Sequence, residues 1–214
     1  MTLADGFTRF SDIQRGLPKI SASTLAVRLR SLEDAGVLTR SFDKEAAGTS
    51  YQLTPAGEEL GQIVYNLGNW GQRWGRDLET NDLDPHHLMW SIHLRMNTEI
   101  MPNQRTTIAF EFVDVPQDKR FFWIIVNGKM VDACLKNPGY EEDVIVRGTI
   151  RSFIDAWRGF STLRDEISNG RIDVLGSKHL VNAFPDWLLL SALAGEERLR
   201  HGRERTLQRE TRKA

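Results

Sequence analysis

Between Phe10 and Thr54 the chain is punctuated in an order that few folds can accommodate. Ser11 can cap a short helix, Asp12 to Arg15, which stops at Gly16, and Pro18 prevents its continuation. Ser21 or Ser23 can cap a second helix ending at Gly36. Inside it Leu25, Leu29 and Leu32 fall at i, i+4 and i+7, which at about 100° per residue makes one apolar stripe. Val37 to Phe42 reads as a strand, Asp43 to Thr49 as a polar tip containing Gly48, and Ser50 to Thr54 as the returning strand, with Tyr51 and Leu53 on one face. Thr54 then caps another helix with Pro55 in its first position.

A short helix, a tight turn, a second helix and a hairpin make the sequence form of a winged helix-turn-helix. On the second helix Ser23, Val27, Arg30 and Ser31 point away from the leucines, with Thr24 and Arg28 on the flanks. Arginine can read guanine in a major groove, and a small apolar group can meet a thymine methyl. A solvated helix face can carry the same residues. The hairpin that follows favours the first reading, and it places Arg40 and Lys44 where a wing touches phosphate. The whole chain has a net charge of -1, so no overall field draws it to nucleic acid. Between Phe7 and Phe42, however, six Lys/Arg stand against three acids, a local balance of +3. A small basic patch is what phosphate positioning requires.

The segment RFSDIQRGLP to RLRSLEDAGVLTR, with YQLTPAGEEL behind it, resembles the HxlR family of bacterial transcription regulators, relatives of the MarR group. The resemblance covers about Arg9 to Trp74. It implies that Ser21–Ala35 is a recognition helix and that Arg40–Leu53 is a wing. It also implies that Ser21, Ser23, Thr24, Val27, Arg28 and Arg30 face double-stranded DNA. Family members carry a further helix ahead of this segment. Here Met1 to Thr8 precede it, and Leu3 and Ala4-Asp5-Gly6 look like the tail of that helix, so an upstream start or a truncated product is expected.

From Pro55 to about Glu79 a long helix carries Leu60, Ile63, Val64, Leu67, Trp70, Trp74 and Leu78 on one stripe. Gly61, Gly68 and Gly75 recur every seven residues, with Gly71 between them. Each costs about 1 kcal/mol against alanine inside a helix, so close approach of another backbone is the expected reason. Helix 55–79 is therefore the expected homodimer contact, as the resemblance also implies. Packing within the chain is the alternative.

Thr80 to Pro85 is polar, acidic and proline-ended, and marks the expected boundary between a domain at 1–79 and a second at 80–195. His86 to Met96 reads as a helix. Strands are expected at Thr106–Val115, with Ile108, Phe110 and Phe112 on one face, and at Arg120–Val126, Lys129–Lys136, Asp143–Arg147 and Arg171–Leu175. Asn127-Gly128 marks a hairpin. Helices are expected at Thr149–Arg158 and Ser161–Asn169, and a last one capped by Ser177 and ended by Pro185. The fold class is α+β, a mostly antiparallel sheet with helices on one side. This order, with GRIDVLGSKHLVNAFPDWL, resembles the sterol carrier protein-like fold. That resemblance implies a pocket for an apolar small-molecule ligand. Phe110, Phe112, Trp123, Ile125, Phe153, Trp157 and Val174 are the candidate lining, and each would also serve as an ordinary core residue.

The 214 residues contain one cysteine, Cys134, which excludes an internal disulfide and fits a reducing cytoplasm. No run of 18 or more apolar residues is present, so no membrane association is expected. His86, His87 and His93 lack Cys, Asp or Glu partners at metal-ligand spacing. No phosphate loop, dinucleotide fingerprint or nucleophile elbow is found, so neither a cofactor nor an enzymatic activity is expected. From Arg198 to Ala214 seven Lys/Arg against two acids form a basic tail within residues 196–214. The sequence therefore reads as a dimeric DNA-binding regulator whose second domain takes an apolar ligand or a partner. The alternative is a hydrophobic-ligand carrier whose winged helix does not bind DNA.

Overall fold

The structure, a computed structural model, describes residues 8–17, 20–43 and 48–200. The expectations for Leu3–Gly6, for Lys44 and for the chain beyond Arg200 fall outside them. The chain divides into two compact units between Gly71 and Gln72.

The first unit opens with α1 (Phe10–Arg15) and α2 (Ala22–Asp34), followed by the antiparallel pair β1 (Leu38–Asp43) and β2 (Gly48–Leu53). Arg9, not Ser11, is the N-cap of α1. The cause is tertiary. Arg9 bridges to Ser50, and the Tyr51 N–H donates to the Thr8 carbonyl at 2.8 Å, so pairing with β2 sets where the helix begins. Ile13, Leu25, Leu29, Leu38 and Tyr51 form a small core. Leu32, expected on the same stripe, is 38% exposed, because this core does not extend beneath the last turns of α2.

The long helix α3 (Pro55–Trp74) starts against the backbone between α2 and β1. The Thr54 hydroxyl donates to the Gly36 carbonyl at 2.6 Å, lies 3.2 Å from the Val37 carbonyl, and accepts from the Gly57 N–H at 3.1 Å. The Thr54 N–H donates to the Val37 carbonyl at 3.1 Å. A Cβ at Gly57 would land on the Val37 carbonyl oxygen. Gly36 reaches this geometry at φ +70°, a conformation that favours glycine.

Helix α3 ends at Trp74, five residues before the expected Glu79; from Gln72 on it belongs to the second unit, whose residues 198–200 take its terminal carbonyls. Arg73 O accepts from the Leu199 and Arg200 N–H groups at 3.0 and 2.9 Å. The Arg198 guanidinium donates to Gln72 O, to Gly75 O and to Asp77. The part of the expected basic tail within the described residues is thus folded against the helix end. Leu78 leaves the stripe and packs on the core of the second unit. Gln72, 1% exposed, donates to the Arg158 carbonyl at 2.8 Å and accepts from the Arg158 guanidinium at 2.6 and 3.0 Å. Arg158 and Arg198 both stack on Phe160, and burial, helped by the Arg198 charge, lowers the proton affinity of Arg158.

The second unit continues with a short 3-10 turn at Thr80–Asp82 and α4 (Pro85–His93), capped by Asp84. Its strands are β3 (Thr106–Phe112), β4 (Phe121–Asn127), β5 (Met130–Cys134), β6 (Val144–Gly148) and β7 (Ile172–Gly176). They form one sheet in the order β5-β4-β3-β6-β7, in which only the β3–β6 pair is parallel. Helices α5 (Ile150–Trp157) and α6 (Leu163–Ser168) precede β7, and α7 (Lys178–Trp187) follows it. The expectation that Pro185 ends the last helix is not met. It sits inside α7, near the C-terminal end, and the helix runs two residues further to the fully buried Trp187.

The core lies between the helices and one face of the sheet. Ile108, Phe110, Phe112, Phe122, Ile124, Val126, Val144 and Val146 meet Leu88, Met89 and Ile92 of α4, Phe153 of α5, Leu163 of α6, and Phe184 and Trp187 of α7. The architecture is therefore α+β, with the helices on one side of a mostly antiparallel sheet. Among the described residues no helix is long and apolar enough to cross a membrane.

Gly57→Ala should destabilise the protein by about 3 kcal/mol, since the added carbon collides with backbone rather than with a movable side chain. Gly61→Ala, where a Cβ meets nothing within 4 Å, should stabilise it by about 1 kcal/mol. Urea denaturation of the two variants checks both signs.

Candidate nucleic-acid interface

The exposed face of α2, the face expected to meet DNA, is built by the start of the helix and by what α2 buries. Ser21 is the N-cap, its hydroxyl accepting from the Thr24 N–H at 3.2 Å. The same hydroxyl lies 3.0 Å from that of Ser23 and 2.9 Å from that of Thr24. Ser21 is thus tied into a local hydroxyl cluster that begins the helix. Leu25 and Leu29 fix the rotation of α2 by entering the core. Ser23, Thr24, Val27, Arg28, Arg30 and Ser31 are consequently exposed, Val27 at 62%. Ser31 donates to the Val27 carbonyl at 3.1 Å, which holds it against its own helix. Arg40 is exposed on β1 opposite Tyr51. On the same hairpin Phe42 is 67% exposed, an apolar wing residue that the strand pattern did not single out.

On α3 the apolar stripe faces solvent. Leu60, Ile63, Val64, Leu67, Trp70 and Trp74 are 40 to 64% exposed in the single chain. At Gly61 and Gly71 a Cβ would meet nothing within 4 Å, so no backbone among the described residues explains those two glycines. The close approach predicted from the glycine pattern occurs instead at Gly57, one turn from the helix start.

In the second unit the expected pocket residues do not share one face. Phe110, Phe112 and Phe153 are buried among the helices. The Phe153 ring packs edge-on to Phe110 at 6.0 Å and to Phe112 at 5.2 Å. Val174 and Trp157 are half-buried at the margin of that cluster. Trp123 and Ile125 stand on the opposite face of the sheet, because Trp123 pairs with Ala109 and Ile125 with Thr107. A single lining made of all seven residues is therefore excluded. The Trp123 indole N–H donates to Glu142 at 2.8 Å. Cys134, Trp123, Ala109, Ile145 and Leu175 instead form one apolar row across all five strands of that face.

His93 is buried at the end of α4, its ring tilted 55° to that of Trp90 with centroids 4.3 Å apart, and its Nδ1 lies 2.5 Å from the Trp90 carbonyl oxygen. Among the described residues no three His, Cys, Asp or Glu groups are placed to hold a metal ion. Cys134 is half-buried, and burial together with Asp132 pushes its thiol pKa up, away from the reactive thiolate.

Two short helices, the second turned by its buried leucines, and a hairpin leading into a long helix define a winged helix-turn-helix protein. The family profile of HxlR-like helix-turn-helix proteins matches residues 1–79. An HTH-type transcriptional regulator of Bacillus subtilis, YvaP, is 36% identical over 73 residues, covering 34% of this chain and 68% of that protein. A regulator of the same description from Methanothermobacter thermautotrophicus is 37% identical over 81 residues, covering 37% of this chain and 62% of the relative. The chain belongs to the HxlR-like helix-turn-helix family. The match spans less than two thirds of the Methanothermobacter protein, and the family profile ends at residue 79, ahead of β3. Among solved structures, the sec-alkylsulfatase Pisa1 from Pseudomonas aligns at TM-score 0.42 and 17% identity, covering 53% of this chain and 17% of that one. The sterol carrier protein-2 like-3 of Aedes aegypti aligns at TM-score 0.33 and 10% identity, covering 51% of this chain and 96% of that one. Likenesses at these scores assign no function.

Ser21→Ala should cost about 1 kcal/mol by removing the α2 cap. A lower midpoint in urea checks it, with loss of helical circular dichroism at unchanged final baseline.

Proposed function

We propose that this protein is a DNA-binding transcriptional regulator of the cytoplasm that works as a homodimer. The observation that carries the reading is the outward face of α2. Its two buried leucines leave Ser23, Thr24, Val27, Arg28 and Arg30 exposed together, beside a wing bearing Arg40. The family's relatives, described as HTH-type transcriptional regulators, support it. Arg28 and Arg30 read base edges or phosphate from the helix, and Arg40 grips phosphate from the hairpin. The exposed stripe of α3 supports self-association, since a continuous apolar face of this size is what a subunit contact covers. A two-fold dimer would then present two recognition helices to a palindromic site.

The second unit is the ligand-responsive part of this reading. Its core offers aromatic surface from Phe110, Phe112 and Phe153. The indole N–H of the fully buried Trp187 has no hydrogen-bond acceptor among the described residues. A buried donor left unpaired costs about 1–3 kcal/mol, and an apolar molecule carrying one carbonyl or hydroxyl would supply the acceptor. Such a ligand changes DNA affinity only by binding one conformation of the protein better than another.

Electrophoretic mobility shifts with the intergenic DNA beside the protein's own gene test the reading. Arg28→Ala and Arg30→Ala should each weaken binding about tenfold or more, and the native affinity should fall steeply with salt. Absence of any shift, together with lipid co-purifying in native mass spectrometry, would instead favour a hydrophobic-ligand carrier. Leu67→Glu should convert the dimer to a monomer in light scattering after gel filtration and weaken DNA binding with it.

A further inference from the structure

The last residues of α3, Gln72 to Trp74, belong with the second unit. A helix end leaves carbonyls with no partner inside the helix. Here the carbonyls of Gln72, Arg73, Trp74 and Gly75 all accept from one stretch of chain, Arg198 to Arg200. Glu196 pairs with Arg73 at 3.1 Å, and Arg198 with Asp77 at 2.6 Å. The positive side chains stand where a helix C-terminus favours them. The cap of α3 is therefore carried by residues 196–200.

The same stretch begins at the end of α7. The carbonyl of the fully buried Trp187 accepts from the Asn97 N–H at 2.8 Å. Leu188 bridges to Met96, and the Leu189 N–H donates to the Arg95 carbonyl at 2.9 Å. The Arg95 guanidinium donates to the Leu190 carbonyl at 2.6 Å. The Ser191 N–H then donates to the Trp157 carbonyl at 3.0 Å. Ala194 lies against Gly159, where a Cβ would come within 2.6 Å of the Ala194 carbonyl oxygen. From Leu189 to Arg200 the chain forms neither helix nor strand. Its position rests on these separate attachments, and a segment held in that way opens without unfolding the core beneath it.

We infer that residues 188–200 are a strap that couples the end of α7 to the last turn of α3. When the attachments at Arg95 or Gly159 loosen, the cap on α3 loosens with them. The use of this coupling rests on the regulator reading above. There Trp187 meets the ligand, and α3 carries the self-association stripe, with Trp70 and Trp74 near its end. An occupant that shifts Trp187 moves Leu188, the first residue of the strap. The strap then carries the shift to the helix whose stripe the partner subunit covers, and so gives the ligand a route to DNA affinity.

Amide hydrogen exchange of the full chain, resolved by residue, tests the coupling with two variants that lie on neither α3 nor α7. Arg95→Ala removes the bond to the Leu190 carbonyl at the start of the strap. Gly159→Ala sets a methyl against the Ala194 carbonyl at its middle. Each should speed exchange at Leu199, Arg200 and Gln72 to Trp74 together by about tenfold or more, the effect of losing one hydrogen bond to a charged group. Amides of β3 and β6 should keep their rates. Faster exchange confined to residues 188–195, with the end of α3 unchanged, would overturn the coupling. Arg158, beside Gly159, also holds Gln72, so Arg95→Ala decides the matter where the two variants differ. The experiment needs neither DNA nor ligand, so the strap can fail while the regulator reading stands, and the reverse.

Discussion

The first unit depends on one short junction of backbone, where α3 meets the turn between α2 and β1. Thr54 joins three events there. It caps α3, satisfies the carbonyl of Gly36, and ties its own N–H to Val37. Gly57 lets the helix lie against the Val37 carbonyl. The end of α2, the root of the hairpin and the start of α3 therefore share one set of hydrogen bonds. The exposure of Arg28, Arg30 and Arg40 follows from that joint. With α2 held at its end and Leu25 and Leu29 in the core, its polar face has nowhere to turn but outward.

Much of this was legible in the sequence because its signals are local. As helix caps, Ser21 and Thr54 act on N–H groups within one turn of themselves, and with Gly36 they fell where the structure uses them. Ser11 misled because the start of α1 is set by pairing of Thr8 and Arg9 with β2, some forty residues away. The helix end at Trp74 was illegible for the same reason. The groups that take its carbonyls belong to residues 198–200, and no pattern between Pro55 and Glu79 announces them.

The aromatic residues of the second unit show a different limit. Ile108, Phe110 and Phe112 alternate with smaller or polar neighbours, so their common face could be read directly. Phe121 to Val126 is apolar at every position, and a period of two has nothing to alternate against. Only the register with β3 tells that Phe122, Ile124 and Val126 face the helices while Trp123 and Ile125 face away. A lining drawn from hydrophobicity alone therefore mixed two sides of one sheet. The open side carries its own apolar row and, beside it, the Glu111–Arg147 ion pair at 2.6 Å.

The fold-back of residues 198–200 onto the end of α3 joins groups more than 120 positions apart in sequence. Contacts of the first unit, by contrast, close loops of a few tens of residues. Loop closure over long separations slows folding, and a chain emerging from the ribosome adds about 5–20 residues each second. The helix-turn-helix and its hairpin can therefore gather while the sheet is still being made. The last turn of α3 must wait several seconds more for the arginine that completes it. Until then its carbonyls are held by water, and the order of synthesis is written into which end of this helix becomes firm first.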